Sequence, residues 1–298
     1  MWRGGDALDP NAHHGPRVAF RWLDTLWIQV TGTLCNIACR HCFITCGPRA
    51  HDVPLMSVEE VQSALEQGRA LGMRQVYFTG GEPFLHPDIR ELSHRALTIA
   101  PLTIVTNGLL FDDDAIQWIS QTFDRARYSF DLRVSLDGVT AEQNDPVRGH
   151  GTFEKIVDAI QRLGGVGISP VVTVVEHEEG LTDADARMQF LKFLQALGIT
   201  RPRVKFLPLL RIGREPRRTH GYEDPRPLSS EPLLPEVEST LLCATGRCVT
   251  AQGVYTCPIL IKHPSARLGE RVTDAAHAIG LEWSACQTCV LDGLRCNT

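Results

Sequence analysis

The spacing of apolar and polar residues changes repeatedly along the chain, and each change marks an element. TLWIQVT (25–31) is short, apolar and β-prone, the pattern of a strand. Residues 57–72 read as a helix: Ser57 sits at the N-cap position, Glu60 follows three residues on, and Gly72 ends it. RQVYFTGGEP (74–83) reads as a buried strand stopping at a glycine pair. The alternation continues with helix 87–100, strand 102–108, helix 112–123 and strand 131–138. Helix 151–164, strand 168–176, helix 183–198 and strand 203–210 complete it. About six strand–helix alternations predict an α/β fold with a parallel sheet covered by helices, wound by right-handed crossovers into an open or partial barrel.

Beyond residue 213 the pattern fails. Residues 214–236 hold five prolines and many charges and read as a linker or lid. From about residue 240 the tail has too little apolar sequence for a core of its own and needs staples. The expected division is an N-terminal extension (1–24), a barrel (25–213), a linker (214–238) and a cysteine-rich domain (239–298).

Composition narrows the function. The 298 residues carry 43% hydrophobic and 22% charged residues and a net charge of -5, so no basic footprint for nucleic acid is present. No apolar run approaches the roughly 20 residues of a membrane span. The first twenty residues lack the apolar core of a signal peptide, so a cytoplasmic location is the expectation; a monomer is expected as well.

Ten cysteines fall in two groups, four between Cys35 and Cys46 and six between Cys243 and Cys296. In a reducing compartment clustered thiols are metal ligands more often than disulfides. The loop TGTLCNIACRHCFITCGP spaces Cys35, Cys39 and Cys42 as C-x3-C-x2-C. Three thiolates on one loop can hold three corners of an iron–sulfur cube and leave the fourth iron open to a substrate. A zinc site is the alternative from spacing alone, although zinc usually closes with four ligands.

That loop, with His41 before its third cysteine, resembles the signature of the radical S-adenosylmethionine (SAM) superfamily. The resemblance spans about residues 25–210. Gly80, Gly81, Glu82 and Pro83 are similar to the family's GGEP motif, which implies that backbone and Glu82 hold the methionine amino group of SAM. Thr106 and Asn107 end the third strand as in the family, Ser135 ends the fourth, where the family places a serine near the ribose, and Arg148 resembles the basic residue that approaches the methionine carboxylate. These landmarks sit at successive strand C-termini, where α/β barrels bind ligands. The implied fold is a partial (βα)6 TIM-like barrel. The implied chemistry is reductive SAM cleavage at a [4Fe–4S] cluster, giving a 5'-deoxyadenosyl radical that removes a hydrogen atom from an unactivated carbon.

The tail resembles the "twitch" domain, a shortened SPASM domain with one auxiliary [4Fe–4S] cluster. That pattern implies Cys243, Cys257, Cys286 and Cys289 as ligands, with three residues rather than four between Gly253 and Cys257. A zinc ribbon remains open from the thiols alone. Cys46, Cys248 and Cys296 are left over, and a surplus cysteine is usually a small buried hydrophobe. Cys248, expected in the hairpin loop near the barrel mouth, could also donate a hydrogen atom to a carbon radical and so invert the carbon. His13, His14, His51 and His86 read as exposed or capping residues, and Arg211, Arg214, Arg217 and Arg218 as a solvated linker. Asp137 and Asp145 are candidates for touching a polyol or amine.

The resemblance is greatest to aminoglycoside-pathway members. It implies an epimerase acting on a small polyhydroxylated or amino-sugar substrate, with Cys248 as hydrogen donor and flavodoxin or ferredoxin as external electron donor. A dehydrogenase that passes its second electron to the auxiliary cluster is the next reading, and a peptide-modifying enzyme or a non-catalytic Fe–S protein is the third. The short N-terminus argues against a peptide, because it leaves no room for a leader-binding module.

Overall fold

Six strands run parallel, in sequence order, across the middle of one sheet: β2 (Thr25–Gln29), β3 (Gln75–Thr79), β4 (Leu102–Thr106), β5 (Phe130–Ser135), β6 (Val171–Glu176) and β7 (Arg203–Pro208). The computed structural model describes residues 15–176, 184–222, 228 and 231–296, so His13 and His14 lie outside the described residues, as do Pro225 and Pro227 of the linker. Five crossovers return through α1 (Val58–Ala70), α2 (Ile89–Ile99), α3 (Asp113–Arg125), the pair α4 (Ala141–Arg148) and α5 (Thr152–Gly165), and α6 (Ala184–Ala196). Each expected strand and helix is present with ends moved by a few residues. The Ser57 capping box forms: Glu60 N–H donates to the Ser57 hydroxyl, and Ser57 N–H donates to the Glu60 carboxylate.

Every central strand has two unlike faces. Leu26 and Ile28, Val76 and Phe78, Leu132 and Val134, and Val172 and Val174 point outward and join Leu65, Leu92, Ile119, Ile160 and Phe190 in the main core. Each such side chain contributes roughly 1.5–3 kcal/mol through burial. The alternate residues Trp27, Gln29, Thr79, Arg133, Ser135, Thr173 and Val175 line the cavity inside the barrel. Helices therefore take the apolar face, and the enclosed face is free to be polar.

The cysteine-rich tail does not stand apart. β8 (Gly246–Thr250) pairs in parallel with β2, in a register that sets Trp27 against Cys248. β9 (Gly253–Tyr255) and β10 (Arg267–Gly269) add two antiparallel strands, so nine strands form one open sheet in the order β10-β9-β8-β2-β3-β4-β5-β6-β7. The tail thus uses the barrel's first strand as its template, which answers its shortage of apolar sequence. β1 (Arg17–Val18), in the expected N-terminal extension, pairs with β11 (Ile279–Gly280). Hairpin and extension lie outside anything the strand–helix pattern contains.

Candidate active site

The loop after β2 folds back on itself. Gly47 N–H donates to Thr33 O at 3.1 Å, Cys35 N–H to Gly47 O at 3.2 Å and Cys42 N–H to Cys39 O at 3.3 Å. This brings Cys35, Cys39, Cys42 and Cys46 to the wall of one cavity of about 230 Å3. Gly80, Gly81, Thr106, Asn107, Ser135 and Arg148 line the same cavity, so residues far apart in sequence converge as expected from strand C-termini.

The glycine pair is there for clearance. A Cβ on Gly81 would lie 2.0 Å from Leu34 O, and one on Gly80, whose φ is +149°, would lie 2.2 Å from Thr31 Oγ1. The loop backbone can therefore lie directly on the end of β3, where Glu82 N–H donates to Leu34 O at 3.0 Å.

Glu82 is placed differently from the expectation. It is fully buried and does not line the cavity. Its carboxylate accepts from Thr106 Oγ1 at 2.7 Å, Asn107 N–H at 2.7 Å and Phe84 N–H at 3.1 Å, fastening β3 to the end of β4. Burial pushes its acid up to about 7 in spite of those three donors.

Asp137 is also enclosed, and touches protein rather than solvent. His41 Nε2 lies 2.6 Å and Arg148 Nε 2.8 Å from its Oδ2, while Val175 N–H donates to Oδ1 at 2.9 Å. Despite burial, Arg148 and then His41 hold this carboxylate well below its usual range. Asp137 therefore joins the cysteine loop, α4 and β6 at one point. Asp145 caps the start of α5 through Gly151 and Phe153 N–H and does not line the cavity. His86 is buried and acts as a cap, accepting from Asp88 N–H at 3.0 Å, and His51 is exposed.

Burial raises Cys35 to about 12 and Cys39 to about 11, whereas a hydrogen bond from Cys46 leads in lowering Cys42 to about 6. All described cysteines are free thiols. In the tail, Cys243, Cys257, Cys286 and Cys289 lie close enough for their charges to act on one another, and Cys296 is in the same group. Cys286 and Cys289 belong to one short helix (Cys286–Val290), three residues apart and so on one face.

Cys248 lies on strand β8 rather than in the hairpin loop. It is completely buried between Trp27 and Tyr255, on the inward side of the sheet but not on the cavity wall. Cys46 and Cys296 do reach that wall. Three further polar groups there have no hydrogen-bond partner among the described residues: Trp27 Nε1, Gln29 Oε1 and Thr173 Oγ1. The alternation of Trp27 and Gln29 with Leu26 and Ile28 was the available sequence signal for the first two; Thr173, in an apolar run, offered little.

A parallel α/β barrel with three thiols meeting a glycine turn at the strand ends defines a radical SAM protein, and the chain belongs to the Radical SAM superfamily, which it matches over residues 30–206. Among curated proteins it is 28% identical to the mycofactocin maturase MftC of Mycobacterium tuberculosis over 200 residues, 66% of this chain and 47% of that one. It is 28% identical to a probable GTP 3',8-cyclase of Methanosarcina acetivorans, over 53% of this chain and 48% of that one. The chain spans about half the length of these relatives. Among solved structures, Streptococcus suis SuiB bound to S-adenosylmethionine superposes with a TM-score of 0.61 at 15% identity, covering 82% of this chain and 62% of that one. Native anSMEcpe with bound AdoMet gives 0.59 at 16% identity, covering 84% and 79%. These likenesses establish the fold.

Membership implies a [4Fe–4S] cluster and SAM, and the residues fit both: three free thiols converge on a cavity that also exposes the glycine turn, Asn107, Ser135 and Arg148. Among the described residues no helix is long and apolar enough to cross a membrane.

Proposed function

We propose that this enzyme inverts one carbon centre of a small polyhydroxylated or amino-sugar substrate, with the Cys248 thiol returning the hydrogen atom. Cys35, Cys39 and Cys42 hold the cluster; Gly80, Gly81, Thr106, Asn107, Ser135 and Arg148 seat SAM, and Glu82 fixes the ends of β3 and β4 beneath it. Cluster and SAM, when bound, supply a carbon radical able to remove a substrate hydrogen atom. Asp137 holds Arg148 and His41 in place.

The observation that carries the reading is Cys248 itself. It faces inward next to Trp27, a cavity-wall residue, and burial holds its pKa well above that of an ordinary thiol. The sulfur therefore keeps its hydrogen at neutral pH, as a donor must, since a thiolate has none to give. Transfer of that hydrogen atom to the face opposite abstraction forms the new C–H bond and leaves a thiyl radical. One electron from an external flavodoxin or ferredoxin and one proton restore the thiol. The reading requires the Trp27 indole to yield room above the sulfur when substrate enters. The donor of Trp27, the acceptor of Gln29 and the hydroxyl of Thr173 suit a neutral ring rich in hydroxyl groups.

The same reading gives the tail one auxiliary [4Fe–4S] cluster on Cys243, Cys257, Cys286 and Cys289, and places the protein as a monomer in the cytoplasm, where its thiols stay reduced. A dehydrogenase is the second reading, favoured by Cys296, which lines the cavity and also interacts with Cys257 and Cys289. Similarity to a mycofactocin maturase favours a peptide substrate. Turnover in deuterated water separates these. Epimerisation places one deuterium on an inverted carbon, and Cys248→Ala still forms deoxyadenosine but no inverted product. A product lighter by two hydrogen atoms, with Cys248→Ala unimpaired, would establish the dehydrogenase instead. Modification of a precursor peptide, with no turnover of any sugar, would establish the third.

A further inference from the structure

The residues after β7, expected to be a solvated linker, are partly built into the cysteine loop. Arg211 and Arg217 are exposed and Arg218 pairs with Glu215, but Arg214 is half-buried and turned onto the loop backbone. Its Nη1 donates to Cys39 O at 3.1 Å, and its Nη2 donates to Thr45 O at 3.1 Å and to Cys46 O. Its own N–H donates to Cys42 O at 3.2 Å. The neighbouring glycine makes this approach possible. Gly213 has φ +70°, and a Cβ there would lie 2.4 Å from Cys42 O and 2.5 Å from Phe43 O. Gly47 leaves room on the other side, where an added Cβ would lie 3.3 Å from Arg214 Nη2.

We propose that Gly213 and Arg214 form a strap that positions the N-terminal thiol loop, and that the guanidinium raises the reduction potential of the cluster held there. The inference rests on the loop carrying a [4Fe–4S] cluster. The guanidinium fork fixes three carbonyls of the loop at once, which a lysine, with one point of attachment, does not do. Its positive charge beside Cys39 and Cys42 favours the state with the extra electron, because hydrogen bonds and charge around a cluster set its potential.

The test uses the full chain, reconstituted anaerobically, with the potential read from the SAM-sensitive electron paramagnetic resonance signal and iron loss followed with a chelator. Arg214→Gln is expected to lose iron from this cluster about tenfold faster and to shift its potential to more negative values. Arg214→Lys is expected to keep the potential near wild type yet lose iron faster, and Gly213→Ala to lose iron faster. Wild-type rate and potential in Arg214→Gln would overturn the proposal. Should the Gln variant fail to fold, an unchanged rate of iron loss in Arg214→Lys would overturn it alone. A wild-type protein with no SAM-sensitive signal would instead refute the cluster assignment underneath.

Discussion

The two thiol groups of this protein sit at opposite ends of the sequence and meet charge in different ways. The N-terminal group lines the cavity and meets charge on several sides, with Arg148 near Cys39, Arg214 near Cys42 and the Asp137 carboxylate behind. The C-terminal group lies against the extension of the sheet, with Cys296 on the cavity wall. Beside it lies Arg247, with no exposed surface, donating to Cys243 O at 2.7 Å and to the carbonyls of Gly246, Ala275 and His277. Its ring-plane neighbour is Phe20, 4.2 Å from the guanidinium carbon to the ring centroid. The acidic groups acting on Arg247 are the thiols Cys243 and Cys257. A buried cation is costly unless something negative faces it, and thiolates bound to a metal would supply that charge. One group thus faces the cavity with charge on several sides, and the other reaches it through Cys296 with a buried cation beside it.

The most drastic way to break this comparison is to remove one sulfur from each side. Cys35→Ala is expected to abolish deoxyadenosine formation, at least a hundredfold below wild type by chromatography, because the open-corner site loses a ligand. Cys257→Ala is expected to leave SAM cleavage measurable, since the proposed auxiliary cluster takes no part in binding SAM. Equal loss in both variants would erase the distinction.

A smaller effect sharpens the electrostatic half. Asp137→Asn leaves Arg148 buried without its carboxylate, and breaking such a pair costs about 3–5 kcal/mol. Denaturant unfolding should show that loss, and SAM affinity measured by calorimetry should weaken as well. A variant as stable as wild type would show that Arg148 has another partner.

The smallest effect concerns Glu82. Its acid lies near 7 in the folded protein against 4.5 for the ordinary group. A raised folded value favours the native state below the unfolded value, and the advantage is lost as pH rises from 4.5 to about 7. Wild-type stability without SAM should therefore fall by about 3 kcal/mol across that window from this residue alone. Glu82→Gln should flatten the dependence, as read from unfolding midpoints at several pH values. An unchanged slope would assign the ionisation elsewhere.

The sequence made the barrel and its cavity legible because both depend on local patterns. Strands with turn residues, a capped helix at Ser57 and cysteines at fixed spacing are all visible within short windows. What escaped depends on contacts distant in the chain. α4 was missed because Pro146 and a run of polar residues disguise it, yet it delivers Arg148 and Asn144. Asp137 could be named but not placed, since its partners come from residues 41, 148 and 175. Arg214 looked solvated because its partners are carbonyls, which carry no sequence signal. The position of Cys248 on a strand depended on β8 borrowing β2 as its partner.

The most direct test of the division between the two thiol groups is electron paramagnetic resonance of the reduced protein before and after adding SAM. The account predicts a signal that changes with SAM and is absent from Cys35→Ala, beside a second signal that ignores SAM and is absent from Cys257→Ala. Zinc in place of iron at the N-terminal loop, or a SAM response that survives in Cys35→Ala, would contradict it.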